Sequence, residues 1–156
     1  MATYEGTKTG ASGRFAIVAS RFNEPVVDQL VKGAKECFKR QGVAEESVDL
    51  IWVPGSFEVP LVAKRLASSG RYTAVVCLGA VIRGDTDHYE YVAGAAARGV
   101  AEASLSTGIP VIFGILTCAT EEQALDRAGG KEGNKGYDAA LAAIEMDSLL
   151  RQLPGK

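Results

Sequence analysis

Short apolar runs alternate along this chain with longer stretches of helical periodicity, and that alternation restricts the folds open to it more than any other feature. Arg14–Ser20, Val48–Val53, Thr73–Leu78 and Pro110–Leu116 are the runs, each short enough to be a strand buried on both faces. Between the first two, Val27, Leu30, Val31, Ala34 and Phe38 recur at helical spacing; Asn23 is placed to cap this helix, Pro25 to open it and Gly42 to end it. After the turn Pro54-Gly55-Ser56 a second helix is predicted, with Ser56 as its cap, Pro60 tolerated in its first turn and its close near Gly70. A third runs from about Asp87 to Thr107, with Asp87 and Glu90 at capping-box spacing. Thr120 and Gln123 open a fourth that ends near Gly129, and Asn134 begins a last one striped by Leu141, Ile144, Leu149 and Leu150. Strands alternating with helices pair in parallel through right-handed crossovers. The expectation is a single-domain, doubly wound α/β sheet of four parallel strands in the order βαβαβαβαα, spanning 14–153 behind an arm of residues 1–13.

Composition narrows the function. At 156 residues the chain can bury one core without staples, and its 47% apolar and 23% charged content is that of a globular protein. A formal net charge of −2 gives no basic field for a nucleic acid, and no apolar run is long enough to span a membrane. Cys37, Cys77 and Cys118 are odd in number and without CxxC spacing, which reads as free thiols in a reducing compartment rather than a disulfide framework or a zinc site. The polar, glycine-dotted start lacks the apolar segment of a secretory leader. Together these point to the cytoplasm, with no metal, no nucleic acid and no membrane partner.

In open α/β sheets ligands bind beyond the carboxyl ends of the strands. Those ends are Arg21-Phe22-Asn23, Pro54-Gly55-Ser56-Phe57-Glu58, the run from Gly79 to His88, and Leu116-Thr117. Two aromatic rings, a carboxylate, a glycine turn and the only histidine of the chain suit a flat polar heterocycle with an anion nearby. Gly84-Asp85-Thr86 precedes a helix N-terminus, where amides and the helix dipole favour phosphate; equally, it is a tight turn and a cap. Histidine is the side-chain type that changes charge near neutral pH, so His88 is a proton carrier or a structural residue, with Asp138 as its candidate partner. Phe22 covers a ring or makes a local apolar contact, and Glu58 binds a polyol or complements its helix start. Arg127, Lys131 and Lys135 grip phosphate or form a solvated charged face. Ala95, Gly99 and Ala103 make a smooth helix face for the chain's own sheet or for a neighbouring subunit.

Five segments in order resemble the motifs of the lumazine synthase family. They are Arg21-Phe22-Asn23, Pro54 to Pro60, Gly79 to Tyr89, Phe113 to Thr117, and Gln123 to Gly129 continuing through Gly133 to Gly136. The resemblance runs from about Tyr4 to Leu153 and implies a flavodoxin-like sheet. It also implies a cofactor-free transferase of riboflavin biosynthesis. Such an enzyme condenses 5-amino-6-ribitylamino-uracil with 3,4-dihydroxy-2-butanone 4-phosphate to give 6,7-dimethyl-8-ribityllumazine, phosphate and water. By the same resemblance Phe22 stacks on the pyrimidine, whose edge meets the backbone of Ala80, Val81 and Ile82. Ser56, Phe57 and Glu58 hold the ribityl chain; Gly84, Asp85, Thr86 and Arg127 bind phosphate; His88 moves protons. Phe113 and Lys135 complete the pocket from a neighbouring subunit, alongside Arg127. Position 138 is Asp where many family members carry Glu. The implied assembly is a homo-oligomer, a pentamer built into an icosahedral shell of sixty subunits, with riboflavin synthase as a candidate partner. The compact 129–136 connection and an arm without proline favour the shell. The rival expectations are a non-catalytic flavin- or lumazine-binding module and a purely structural shell protein.

Overall fold

The structure is a computed structural model that describes residues 1–155. The four expected strands form one parallel sheet in the order β2-β1-β3-β4: β1 (Phe15–Ser20), β2 (Val48–Val53), β3 (Ala74–Ile82) and β4 (Val111–Cys118). Five helices flank it: α1 (Glu24–Arg40), α2 (Val59–Ala67), α3 (His88–Thr107), α4 (Glu121–Asp126) and α5 (Lys135–Gln152). The doubly wound arrangement follows from where their apolar faces go. Alternate residues of the sheet bury Phe15, Ile17 and Leu78 under α1 and α5, and Val18, Val75 and Ile115 under α2 and α3. A strand apolar on both faces needs a helix layer on each side, which is the meaning of the uninterrupted runs. No helix among the described residues is long and apolar enough to cross a membrane.

Several boundaries differ from expectation, for local reasons. β3 continues to Ile82 because Gly79, Ala80, Val81 and Ile82 pair with Ile115, Leu116, Thr117 and Cys118 of β4. Asn23 does not cap α1 with its side chain. It adopts the left-handed conformation (φ 62°), and its Nδ2 donates to the Ala80 carbonyl at 2.9 Å. Ser56 is not the cap of α2 but the first residue of a 3-10 turn, Ser56–Glu58, and Glu58 takes the capping position. Asp87 stands at the start of α3 without the expected capping bond. Thr120 does cap, its Oγ1 accepting from the Gln123 N–H at 3.1 Å, and Asn134 does likewise for the Tyr137 N–H at 3.0 Å. The helix at Thr120 stops at Asp126, because residues 128–134 form a small antiparallel hairpin, β5 (Ala128–Gly130) with β6 (Gly133–Asn134), which was not foreseen. On α5 the buried face is Gly136, Ala139, Ala140, Ala143, Ile144 and Asp147, while Leu150 is exposed. Small residues were needed there, since a Cβ on Gly136 would collide with the Leu30 carbonyl of α1. Gly99 of α3 abuts Pro60, so the smooth face of that helix packs against α2 of the same chain. The arm lies along α5: the Thr7 N–H donates to Ser148 Oγ at 3.0 Å and Gln152 Nε2 to the Glu5 carbonyl at 2.7 Å.

Candidate active site

The carboxyl ends of β1, β2 and β3 surround a cavity of about 630 Å³, a volume suited to a small organic ligand. Its construction starts with strands of unequal length. β1 pairs with β3 only as far as Leu78, so the last four residues of β3 keep β4 on one side and are open on the other. In a parallel strand, peptide groups alternate between the two sides. Ala80 offers its carbonyl to Asn23 on the open side and the Arg83 N–H reaches the Cys118 carbonyl on the β4 side, so the peptide groups of Ile82 face the opening. A main-chain donor and acceptor therefore line one wall.

The turns beyond β1 and β2 are tied together, with the Arg21 N–H on the Val53 carbonyl at 2.7 Å and the Phe22 N–H on the Pro54 carbonyl at 3.0 Å. Asparagine tolerates the left-handed backbone at position 23, and its side chain anchors the turn to β3. Held in this way, Phe22 stands out over the cavity with 71% of its surface exposed. Ser56 is only 5% exposed and belongs to the floor, whereas Phe57 and Glu58 are exposed at the wall. Ala80 and Val81 are buried beneath it. His88, the first residue of α3, lines the far side. Its N–H is 3.4 Å from Thr86 Oγ1.

Gly84, Asp85 and Thr86 are exposed just outside this cavity, in the bend that leads into α3. No hydrogen bond occupies their N–H groups among the described residues, and a side chain at Gly84 would meet nothing. Reading the sequence missed three pocket residues, Tyr89, Tyr91 and Val92. Tyr91 and Val92 lie one helical turn beyond His88, a spacing that carries the signal. Tyr89 packs under the Arg83 guanidinium, 5.2 Å from the ring centre.

The remaining candidates occupy a different place. Phe113, Arg127, Lys135 and Asp138 line a second cavity of about 460 Å³, between β4 and the start of α5. The hairpin brings the two cations together, because the Lys135 N–H donates to the Arg127 carbonyl at 2.8 Å. The Arg127 guanidinium bonds the Gln123 carbonyl at 3.0 Å. Lys131 is turned away into an ion pair with Asp126 at 3.6 Å. Within one chain, then, Asp138 and His88 line different cavities, and no Lys or Arg lines the first. A third cavity of about 650 Å³, between α1 and β2, holds none of the candidates.

Among the described residues no group of three or more His, Cys, Asp or Glu is placed to hold a metal ion. Burial pushes the Cys37 and Cys77 thiols up to about 11 and about 12. It also raises Cys118, against the pull of Arg127. These are core residues, not nucleophiles.

Comparison with known proteins identifies the family. The family model for 6,7-dimethyl-8-ribityllumazine synthase matches residues 12–151. Proteins named 6,7-dimethyl-8-ribityllumazine synthase from two strains of Clostridium kluyveri are each 52% identical over 153 residues, covering 98% of this chain and 99% of their own. With the family model matching most of its length and these relatives sharing half of its residues, the chain belongs to the 6,7-dimethyl-8-ribityllumazine synthase family.

Proposed function

We propose that this protein condenses 5-amino-6-ribitylamino-uracil with 3,4-dihydroxy-2-butanone 4-phosphate to 6,7-dimethyl-8-ribityllumazine, releasing phosphate and water. It acts as a transferase without an organic cofactor, in the penultimate step of riboflavin synthesis. The observation that carries the residue-level reading is the partition of chemistry between two cavities. One has an aromatic lid, main-chain donors and acceptors, a carboxylate and a histidine; the other has two cations and an exposed aromatic ring. The first cavity has the histidine but no Lys or Arg, and the second has the cations but no histidine.

Phe22 stacks on the pyrimidine and the Ile82 peptide groups meet its edge, with Ala80 and Val81 forming the base of that wall. Ser56, Phe57 and Glu58 take the ribityl chain. The Gly84, Asp85 and Thr86 amides receive the phosphate of the second substrate, and Arg127 of a neighbouring copy closes over it. Phe113 and Lys135 come with that arginine, and Asp138 of the same copy is the candidate partner for the His88 ring. The primary amine of the pyrimidine attacks the ketone. Loss of water gives an imine, elimination of phosphate leaves an enol that tautomerises to a carbonyl, and the second nitrogen attacks that carbonyl to close the ring with loss of a second water. Amine attack on a ketone needs little covalent help, so holding both substrates together supplies much of the acceleration. His88 shuttles protons in the dehydration and elimination steps. The amides and Arg127 stabilise charge as it collects on the departing phosphate.

Support for assembly comes from exposed apolar side chains spread over the chain. Phe22, Phe57, Leu61, Tyr91, Leu105, Phe113 and Leu125 are all large and solvent-facing in the single chain, and Phe22, Phe57 and Tyr91 gather at one cavity, the kind of exposed apolar cluster that marks an interaction site. The assembly proposed is a pentamer built into a sixty-subunit shell, in the cytoplasm, with riboflavin synthase as a candidate partner. Mixing the purified protein with both substrates tests the activity: lumazine fluorescence should rise well above the uncatalysed condensation. A rate equal to the uncatalysed one contradicts it, and favours the non-catalytic binding or structural reading.

A further inference from the structure

Beneath the floor of the first cavity lies a polar spot in an otherwise apolar layer. Ser20, the last residue of β1, is fully buried, and its hydroxyl has no hydrogen-bond partner. It shares a sheet face with Ala16 and Val18, which pack under α2 and α3, so the hydroxyl lies on the side where the 3-10 turn carries Ser56. Gly79 of β3 lies beside it and has no side chain. A Cβ there would come within 2.6 Å of Ser56 Oγ and 2.8 Å of Ser20 Oγ, with Ile115 Cγ1 at 3.5 Å. The two hydroxyls therefore converge on one small space that only glycine leaves open. Glycine within a strand weakens it and marks a close approach of other groups.

We propose that Ser20 is a positioning residue for the polyol chain of the pyrimidine substrate. Across the space above Gly79 its hydroxyl, unpaired in the single chain, is the hydrogen-bond partner that the Ser56 hydroxyl takes up when it receives the polyol. The proposal rests on the assignment of Ser56 to the ribityl chain and adds residues no ligand touches directly. A buried unpaired hydroxyl is unfavourable, whereas alanine would fit this strand without that penalty. The Ser56 hydroxyl is the polar side-chain group that shares the space with Ser20. Ser56 itself lies at the boundary between core and cavity, so its hydroxyl can serve both the serine behind it and a ligand in front.

A double-mutant cycle tests this in the assembled protein, with calorimetric binding of 5-amino-6-ribitylamino-uracil and of the same pyrimidine without its ribityl chain. Ser20→Ala should weaken binding of the ribityl compound by about fivefold, the loss of one modest hydrogen bond. Binding of the chain-free pyrimidine should be unchanged. In steady state the KM for the pyrimidine should rise while kcat and the KM for the phosphate substrate hold. On a Ser56→Ala background the Ser20→Ala change should add nothing. Equal losses for both pyrimidines, additive effects with Ser56→Ala, or wild-type affinity would each overturn the proposal. Should Ser20→Ala fail to assemble, Gly79→Ala keeps both hydroxyls but drives a methyl between them. It should reproduce the selective loss, and unchanged selectivity would overturn the proposal. If wild-type protein binds both pyrimidines alike, the assignment of Ser56 fails instead, which this cycle separates from failure of Ser20.

Discussion

His88 opens α3 at the cavity wall, and among the described residues no ion pair or side-chain hydrogen bond holds its ring. A histidine in that position is free to exchange protons with a bound ligand. It contributes little to the fold, being exposed at a helix start. His88→Ala is accordingly expected to lower kcat by about 10²-fold, the lower end of what a positioned acid–base group contributes. Pyrimidine affinity and assembly should stay as in wild type. Turnover at the wild-type rate would remove the histidine from the mechanism. At this scale the sequence was informative where a residue type has few uses, as with a single histidine or an aromatic directly after a strand. It was uninformative where two roles share one residue. Asn23 and Ser56 both look like helix caps, yet tertiary contacts redirect Asn23 to the Ala80 carbonyl and draw Ser56 down toward Gly79. Local capping propensity is a weak preference that such contacts override.

Elements answer to packing. α1 and α5 approach closely because Gly136 leaves room for the Leu30 carbonyl and Gly33 leaves room for the Asn134 side chain, which bonds the Gln29 carbonyl at 3.0 Å. Gly136→Ala should destabilise the protein by about 1–3 kcal/mol through overpacking, read as a lowered melting temperature; an unchanged melting temperature would contradict the contact. At the opposite end of the sheet Asp49 of β2 accepts from the Tyr72 hydroxyl at 2.6 Å and from Arg14 at 3.2 Å. The Tyr72 bond, with Arg14 and Arg71 beside it, holds this carboxyl below the usual range. A carboxyl depressed in the fold stabilises at pH values above its unfolded range and loses that contribution as pH falls. Asp49→Asn should therefore lower stability at pH 7 by less than about 1 kcal/mol, the site being partly exposed. The gap to wild type should close below about pH 4. A gap independent of pH would contradict the linkage.

Element types and order were legible because apolar periodicity reports burial directly. The lengths were not: β3 extends to Ile82 only because β4 runs beside it, and β5 and β6 consist mainly of glycine with no apolar pattern. The stripe expected on α5 was displaced for a related reason. The helix sits so near α1 that alanine and glycine form its buried face, while Leu150 turns outward.

For the molecule as a whole, the decisive fact is the separation of the candidate residues. The strand-end cavity holds His88 and Phe22; the cavity between β4 and α5 holds Arg127, Lys135 and Phe113. Apolar periodicity gives no sign of that division, and only the family resemblance implied that Phe113, Arg127 and Lys135 come from a neighbouring subunit. In a closed ring each copy meets its neighbour through two different surfaces, so one copy's first cavity can face the next copy's second. A site completed in this way is absent from any single chain. The most direct test mixes two defective variants, His88→Ala and Arg127→Ala, unfolded together and reassembled. If sites form between copies, random co-assembly should restore about a quarter of them to the wild-type pair, and activity should rise above that of either variant alone. Activity no greater than the average of the two separate variants, in mixed oligomers shown to contain both, would contradict a site shared between subunits.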